Sequence, residues 1–271
     1  MWQVRGRLLE PSLVIGIVNV TPDSFSDGGR FFDTAGAVAH GRRLLDEGAA
    51  LLDVGGESTR PGADPVDAED EMKRVLPVIE AFANDGAIVS VDTSKPSVAM
   101  AAIEAGAAII NDVTALADPE MAHVAVSTGA GVILMHMQGT PRTMQRNPSY
   151  GDVVREVREY LVARSDFAQS VGIEREAIAI DPGMGFGKTV DQNLALLGNV
   201  QTLVATGYPV VVGTSRKAFL GTVSGRAVTE RDVATAATVA LSVAAGVFAV
   251  RVHNVAAAQD ARRIAEAIVN A

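Results

Sequence analysis

Ala177-Ile-Ala-Ile-Asp-Pro-Gly-Met-Gly-Phe-Gly-Lys188 sets the pattern for the whole chain. Its first four residues are apolar and too few for a helix, so they read as a short strand buried on both faces. The strand ends on a carboxylate, Asp181, and runs into a proline and three glycines that carry one phenylalanine. Packing has no need of that combination. A carboxylate at a strand end, beside a loop whose backbone can approach a flat ligand, reads as a binding site.

The same phrase recurs on both sides. Apolar run 13–18 ends on Asn19, 49–52 on Asp53, 87–91 on Asp92, and 107–110 on Asn111 and Asp112. Run 131–135 ends on His136, 209–212 on Gly213-Thr-Ser-Arg-Lys217, and 247–250 on Arg251 and His253. Helical periodicity follows at 35–47, 67–83, 96–105, 119–128, 151–171, 192–206 and 232–245, with a last helix closing the chain. From Asn19 to Arg251 the units average roughly 33 residues, the size of a strand-helix repeat. Eight near-continuous apolar strands predict a parallel sheet covered on both faces, and hence a (β/α)8 TIM barrel. An open doubly wound sheet is the rival; eight repeats without a long linker favour the barrel. We expect one domain over 1–271, with 1–12 as a lead-in.

Of the 271 residues, 48% are hydrophobic and 20% charged, as in a globular protein with a sizeable core. With no cysteine, disulfides, thiolate nucleophiles and cysteine metal sites are excluded, and a reducing cytoplasm is the expected compartment. The N-terminus lacks the features of a signal peptide, and no apolar run approaches a membrane span. A net charge of -9 argues against nucleic acid as a partner, so any anionic ligand must meet locally clustered cations.

In a barrel, chemistry belongs at the C-terminal ends of the strands. One polar residue there is usually a turn former; eight strands ending so is a different matter. Asp53, Asp92, Asn111 and Asp181 supply acceptors, and a planar ligand edge with adjacent N–H donors, such as a 2-aminopyrimidinone, would satisfy them. Divalent-metal ligation by the aspartates is the alternative. Arg60, Lys217, Arg251 and His253 form a cationic group suited to phosphate oxygens, with Gly28-Gly29 as a backbone approach point. Gly183 to Thr189 imitates a phosphate-binding Walker loop, but Pro182 stands where that pattern needs its first glycine. His136, between two methionines, reads as a packed or hydrogen-bonded residue.

These motifs, taken in order, resemble the dihydropteroate synthase family. The resemblance runs from about Gly16 to the C-terminus. It rests on the stretches beginning at Asn19 and Asp53, on Ser90-Val-Asp-Thr93, Asn111-Asp-Val113 and Met135-His-Met-Gln-Gly-Thr-Pro141, and on the Asp181–Lys188 loop, Ser215-Arg-Lys217 and Arg251-Val-His253. It implies condensation of 4-aminobenzoate with 6-hydroxymethyl-dihydropterin diphosphate, giving dihydropteroate and pyrophosphate. Asp92, Asn111, Asp181 and Lys217 would then hold the pterin, in a pocket lined by Val113, Met137, Gly213 and Phe186. Asn19 would ligate Mg2+, and Arg60, Arg251 and His253 would take the diphosphate. Thr59, Pro61, Phe25, Phe186, Ser215 and Lys217 would frame the aminobenzoate. A homodimer and sulfonamide binding are further family expectations, although the Ala/Val-rich segment 232–245 reads by itself as helix packing. A silent pterin-binding paralogue and a methyltetrahydrofolate-dependent methyltransferase are the competing readings. The chain departs from the family pattern at Asn254, at Thr114-Ala-Leu116 where a glycine-rich turn is expected, and at Thr214 and Ala218.

Overall fold

A computed structural model describes residues 1–21, 34–58 and 63–271. The strands are β1 (Trp2–Val4), β2 (Arg7–Leu9), β3 (Leu13–Asn19), β4 (Leu51–Gly55), β5 (Val89–Asp92), β6 (Ile109–Asp112), β7 (Gly131–Met135), β8 (Ile178–Asp181), β9 (Val211–Val212) and β10 (Ala249–Val252). The described helices are α1 (Thr34–Asp46), α2 (Ala68–Asn84), α3 (Pro96–Glu104), α4 (Pro119–Thr128), α5 (Val153–Ser170), α6 (Val190–Gly198), α7 (Gln201–Val204), α8 (Ala218–Ser224), α9 (Asp232–Ala244) and α10 (Val255–Val269). Eight strands form one parallel sheet in the order β8-β7-β6-β5-β4-β3-β10-β9. A bridge between Ile180 and Val210 joins its two edges, with Ile180 N donating to Pro209 O at 2.9 Å. The sheet is a TIM barrel, as the repeat predicted.

Period-two alternation divides each strand. Val14, Val18, Leu52, Val54, Val91, Ile110, Val132 and Leu134 face outward and pack with the helices in one large cluster. Ile15, Leu51, Ile109, Ile133, Ala179, Val211 and Ala249 face inward and form the barrel floor. Two residues further along, the same inward column becomes Asp53, Asn111, Asp181, Gly213 and Arg251. On β4, β6, β8 and β10 the packing residue and the polar residue therefore share one face, one pleat apart.

The lead-in is more structured than expected. β1 and β2 form an antiparallel hairpin that plugs the N-terminal end of the barrel. Trp2 is fully buried, its indole N–H donates to Ala177 O at 3.1 Å, and its ring meets Phe248 edge-on at 6.3 Å. Arg5 donates to the carbonyls of Ile103 and Ala107, both at 3.0 Å, joining the plug to the end of α3.

Several strands start two residues later than their apolar runs suggest. The reason lies in the glycines that precede them. Gly48, Gly86, Gly106 and Gly246 have φ between 82° and 111° and end their helices in Schellman turns. In each turn the next residue is tied back to the helix: Ala49 N to Leu44 O, Ala87 N to Phe82 O, Ala107 N to Ala102 O and Val247 N to Ser242 O. The first apolar residue of each run thus belongs to a helix cap. The strand gains at its other end, where Asp92, Asp112 and Asp181 are in-sheet residues. The single helix expected over 192–206 is two, α6 and α7, because a Thr189/Gln192 capping box starts it early and Asn199 closes its first part. Helix α8 was not anticipated from the sequence.

Candidate functional site

Asp92, Asn111, Asp181, Lys217, Arg251 and His253 converge at the C-terminal mouth of the barrel. Register explains part of this: Asn19 aligns with Gly55, Gly55 with Asp92, and Asp92 with Asn111. Arg251 reaches across the mouth from β10, with Nη2 donating to Asp92 Oδ2 at 2.8 Å and Nε donating to Asp53 Oδ2. Burial raises the pKa of Asp92 to about 7; the Arg251 cation opposes the rise and the Asp53 carboxylate adds to it.

Asp53 departs from expectation. Its position at a strand end predicts an acceptor that touches ligand, yet it has no exposed surface. Its Oδ2 accepts from Asn111 Nδ2 at 3.0 Å as well as from Arg251. It lies one pleat above the floor, buried and bonded to the Asn111 and Arg251 side chains.

The loop after β8 is wired throughout. Asp181 Oδ1 accepts from Gly183 N at 2.7 Å, and Gly185 N donates to Asn193 Oδ1 at 2.6 Å. The carbonyls of Gly183 and Phe186 accept from Lys188 Nζ at 2.9 Å each, that of Gly185 from Gln145, and that of Gly187 from Tyr150. Met184 O takes the ammonium of Lys217. Every carbonyl from 183 to 187 has a partner, so the loop is a rigid platform for Phe186. Its glycines answer to the protein more than to a ligand. Gly183 and Gly187 have φ of 64° and 60°, and a Cβ there would lie 1.9 Å from His136 O and 2.5 Å from Gln138 O.

Lys188, at the end of the loop, has no role that its sequence context alone suggests. It is 3% exposed, lies 3.0 Å from His136 Nδ1, and burial lowers its pKa to about 7. His136 is packed edge-on against Tyr160 at 4.9 Å, as expected of a structural histidine, and burial followed by the Lys188 charge lowers its pKa to about 3.

Lys217 lies 4.4 Å from the centre of the Phe186 ring, and burial lowers its pKa to about 8 against the pull of Asp181. Asp181, 7% exposed, is raised by burial, with Lys217 opposing. The turn bearing Ser215 and Lys217 is held from outside. Arg216, at φ 57°, forks onto Asp232 at 2.7 and 2.9 Å, and Arg231 donates to Arg216 O at 3.0 Å. Thr214, unexpected from the family pattern, bonds Thr238 on α9 at 2.7 Å. Ala218 opens α8. Ser215 Oγ accepts from His253 N at 3.1 Å and lies 2.9 Å from His253 Nδ1, fixing that ring. Asn254 caps α10 through Ala257 N and donates to Asp232 Oδ2 at 3.0 Å, a bond an aspartate there would lack.

Val113 and Met137 follow β6 and β7 at the same mouth, and Gly213 follows β9 beside Arg251. After Val113 the chain places Ala115 and Leu116 at φ 53° and 60°, without glycine. Asp112 accepts from Thr114 N, Thr114 Oγ1 and Leu116 N, and Arg164 donates to the carbonyls of Ala115 and Leu116. These bonds hold a turn that would otherwise cost about 1–2 kcal/mol per residue. After β4, Glu57 and the fully buried Glu71 share Lys95, with 2.6 Å between Lys95 Nζ and Glu71 Oε2. Sequence spacing could not reveal this triad, whose members lie on three separate elements. Phe25, Thr59, Arg60 and Pro61 lie outside the described residues.

Asn19 ends β3, partly exposed, and offers one neutral oxygen at the mouth. Among the described residues no group of three or more His, Cys, Asp or Glu is placed to hold a metal ion. A magnesium ion that keeps its waters and takes phosphate oxygens needs only such a single ligand, so the donor set fits Mg2+ with a phosphorylated substrate. The rival reading, a divalent ion held by the three aspartates, loses ground because Asp53 and Asp92 are occupied by Arg251.

A family model described as pterin binding enzyme matches residues 15–253. A dihydropteroate synthase of Haemophilus influenzae is 44% identical over 259 residues, covering 95% of this chain and 94% of its own. A Xanthomonas albilineans dihydropteroate synthase solved with 4-aminobenzoic acid is 46% identical, with a TM-score of 0.91 over 97% of this chain and 96% of that one. The Yersinia pestis enzyme, solved as a sulfonamide drug complex, is 39% identical, with a TM-score of 0.94 over 99% of both chains.

Proposed function

The chain belongs to the dihydropteroate synthases, a family of pterin-binding enzymes, and from that premise we propose that its barrel mouth joins 4-aminobenzoate to 6-hydroxymethyl-7,8-dihydropterin diphosphate, yielding 7,8-dihydropteroate and pyrophosphate. One observation carries the reading. Three acceptors (Asp92, Asn111 and Asp181) and two cations (Lys217 and Arg251) meet at one end of the barrel, as an amino-pyrimidinone bearing an anionic leaving group requires.

In this reading Asp92, Asn111 and Asp181 accept from the pterin ring, and Lys217 donates to it. Val113, Met137, Phe186 and Gly213 bound the ring, while Arg60, Arg251 and His253 meet the diphosphate. Phe25, Thr59, Pro61, Phe186, Ser215 and Lys217 frame the amine substrate. Mg2+, bound through Asn19, would supply charge neutralisation to the diphosphate. The pterin methylene C–O bond breaks with its electron pair on the diphosphate, and the aromatic amine forms the new C–N bond and releases a proton. Asp92 and Asp181 stabilise positive charge on the methylene as it develops. An aromatic amine needs no strong base for this step.

Purified protein given both substrates and Mg2+ should release pyrophosphate only when 4-aminobenzoate is present. Absence of amine-dependent release favours the silent pterin-binding reading. A methyltransferase would have no use for Arg251 and His253 at the mouth. Sulfonamides should compete with the amine, as the Yersinia pestis complex suggests by likeness.

We also propose a homodimer through α9 and α10. Helix packing accounts for the buried face of α9 (Thr235, Thr238, Val239 and Ser242), but Val233 and Leu241 lie 82% and 64% exposed opposite it. On α10, Ile264, Ile268 and Val269 are exposed as well. Sedimentation equilibrium giving a monomer at all concentrations would exclude this. A reducing cytoplasmic setting suits a chain without cysteine.

A further inference from the structure

We infer that Asp53 is a positioning residue that sets the hydrogen-bonding polarity of the pocket by fixing which end of the Asn111 amide is turned toward ligand. The inference rests on the pterin reading and deepens it. A side-chain amide has a donor end and an acceptor end, and its orientation follows from its partners. A carboxylate can only accept. Asp53 Oδ2 lies 3.0 Å from Asn111 Nδ2, so the nitrogen points down to Asp53 and Oδ1 points away from it. Asp53 is itself held. It has no exposed surface, and its Oδ2 also takes the Arg251 Nε, whose Nη2 is anchored on Asp92. Its Oδ1 has no hydrogen-bond partner among the described residues, so the carboxylate is oriented by Asn111 and Arg251 alone. The result is a rim on which Asp92, Asn111 and Asp181 all present acceptors.

Such a rim selects for a ring edge carrying N–H donors. A 2-amino-4-oxo pteridine has that edge. A 2,4-dioxo pteridine (a lumazine) replaces the amino donor with a carbonyl, which would face an acceptor and leave both unpaired. Asp53→Asn removes the constraint, because an amide at 53 can donate to Asn111 Oδ1 and let the Asn111 nitrogen face the ligand.

The test is calorimetric titration with 6-hydroxymethylpterin and 6-hydroxymethyllumazine as probes. Wild-type protein should prefer the pterin by about a hundredfold or more. Asp53→Asn should lose at least about tenfold of that ratio, chiefly by gaining lumazine affinity, whereas damage to the fold would weaken both ligands together. Asn111→Asp should lose pterin affinity, because two carboxylates then face each other. The double variant Asp53→Asn/Asn111→Asp keeps the bond with its direction reversed and keeps an acceptor toward the ligand, so it should regain pterin selectivity. It also preserves net charge, which keeps the test informative where a single variant folds poorly. An unchanged ratio in Asp53→Asn, or a double variant no better than Asn111→Asp, overturns the role of Asp53 and leaves the pterin reading intact. Wild-type protein that binds no pterin overturns both.

Discussion

Arg251 on β10 donates from Nη2 to Asp92 Oδ2 on β5 at 2.8 Å, although β3 and β4 separate those strands in the sheet. Only the curvature of a closed barrel brings the two side chains together. The same guanidinium holds Asp53, so one cation is shared by two carboxylates. Removing it leaves both without a counter-charge, with Asp53 held by Asn111 alone. Arg251→Met should therefore lower stability by about 3–5 kcal/mol in urea unfolding and weaken diphosphate binding. Arg251→Lys keeps the charge but not the fork, and should recover only part of either. Unchanged stability in Arg251→Met would contradict the pairing.

The site should also respond to pH. Asp92 is raised to about 7, so its charge is absent below that pH, and Asp181 is raised too. Lys217 is lowered to about 8, so its charge is lost above that value. Amine-dependent pyrophosphate release should rise through about pH 7 and fall beyond about pH 8. Lys217→Arg should move the falling limb upward. For stability the sign is opposite to an ordinary salt-bridged carboxylate. A folded-state pKa above the unfolded value of 3.8 means that the contribution of Asp92 is full in acid and is lost as pH rises to about 7. A flat rate profile between about pH 6 and about pH 9 would refute the assignment.

Gly41 tests packing against propensity. It lies inside α1, where alanine is favoured by about 1 kcal/mol on helix propensity alone. A Cβ at this position would lie 2.2 Å from the ring of Phe82, which is fully buried on α2. The overlap should win, making Gly41→Ala destabilising by about 1–3 kcal/mol. Thermal or urea unfolding decides the sign.

Lys188→Met should loosen the loop that carries Phe186. Gly183 O and Phe186 O would lose a donor in a buried setting, at a cost on the order of 3 kcal/mol. Faster amide exchange at residues 183–187 and a raised KM for both substrates are the expected signs. Part of the cost should be offset at neutral pH, because burial lowers the Lys188 pKa to about 7 and the wild type bears the penalty of a buried charge below that value. Unaltered exchange in the loop would show that Lys188 does not anchor it.

Much of the barrel was legible because period and burial are local. A four-residue apolar run cannot be an amphipathic helix, and its repetition with interposed helices leaves few architectures. The strand boundaries were less legible. Ala49, Ala87, Ala107 and Val247 look like strand residues but are tied back into helix ends, which is a matter of backbone hydrogen bonds rather than hydropathy. The hairpin of residues 2–9 escaped notice because a three-residue strand carries too short a pattern to read.

The sequence by itself determined that Asp92, Asn111, Asp181, Lys217, Arg251 and His253 share one end of a barrel, since each follows an apolar strand and all strands run the same way. It could not divide them into residues that meet ligand and residues that hold others in place. Tertiary structure alone decided that Asp53 is buried under Asn111 and Arg251, that Lys188 knots the loop after Asp181, and that Gly183 and Gly187 make room for the backbone at His136 and Gln138. The physical reason is the same in each case. Direction along a strand is written in the chain, whereas the partner of a buried polar group can be set by a residue far away in sequence, as Arg251 is 198 positions from Asp53.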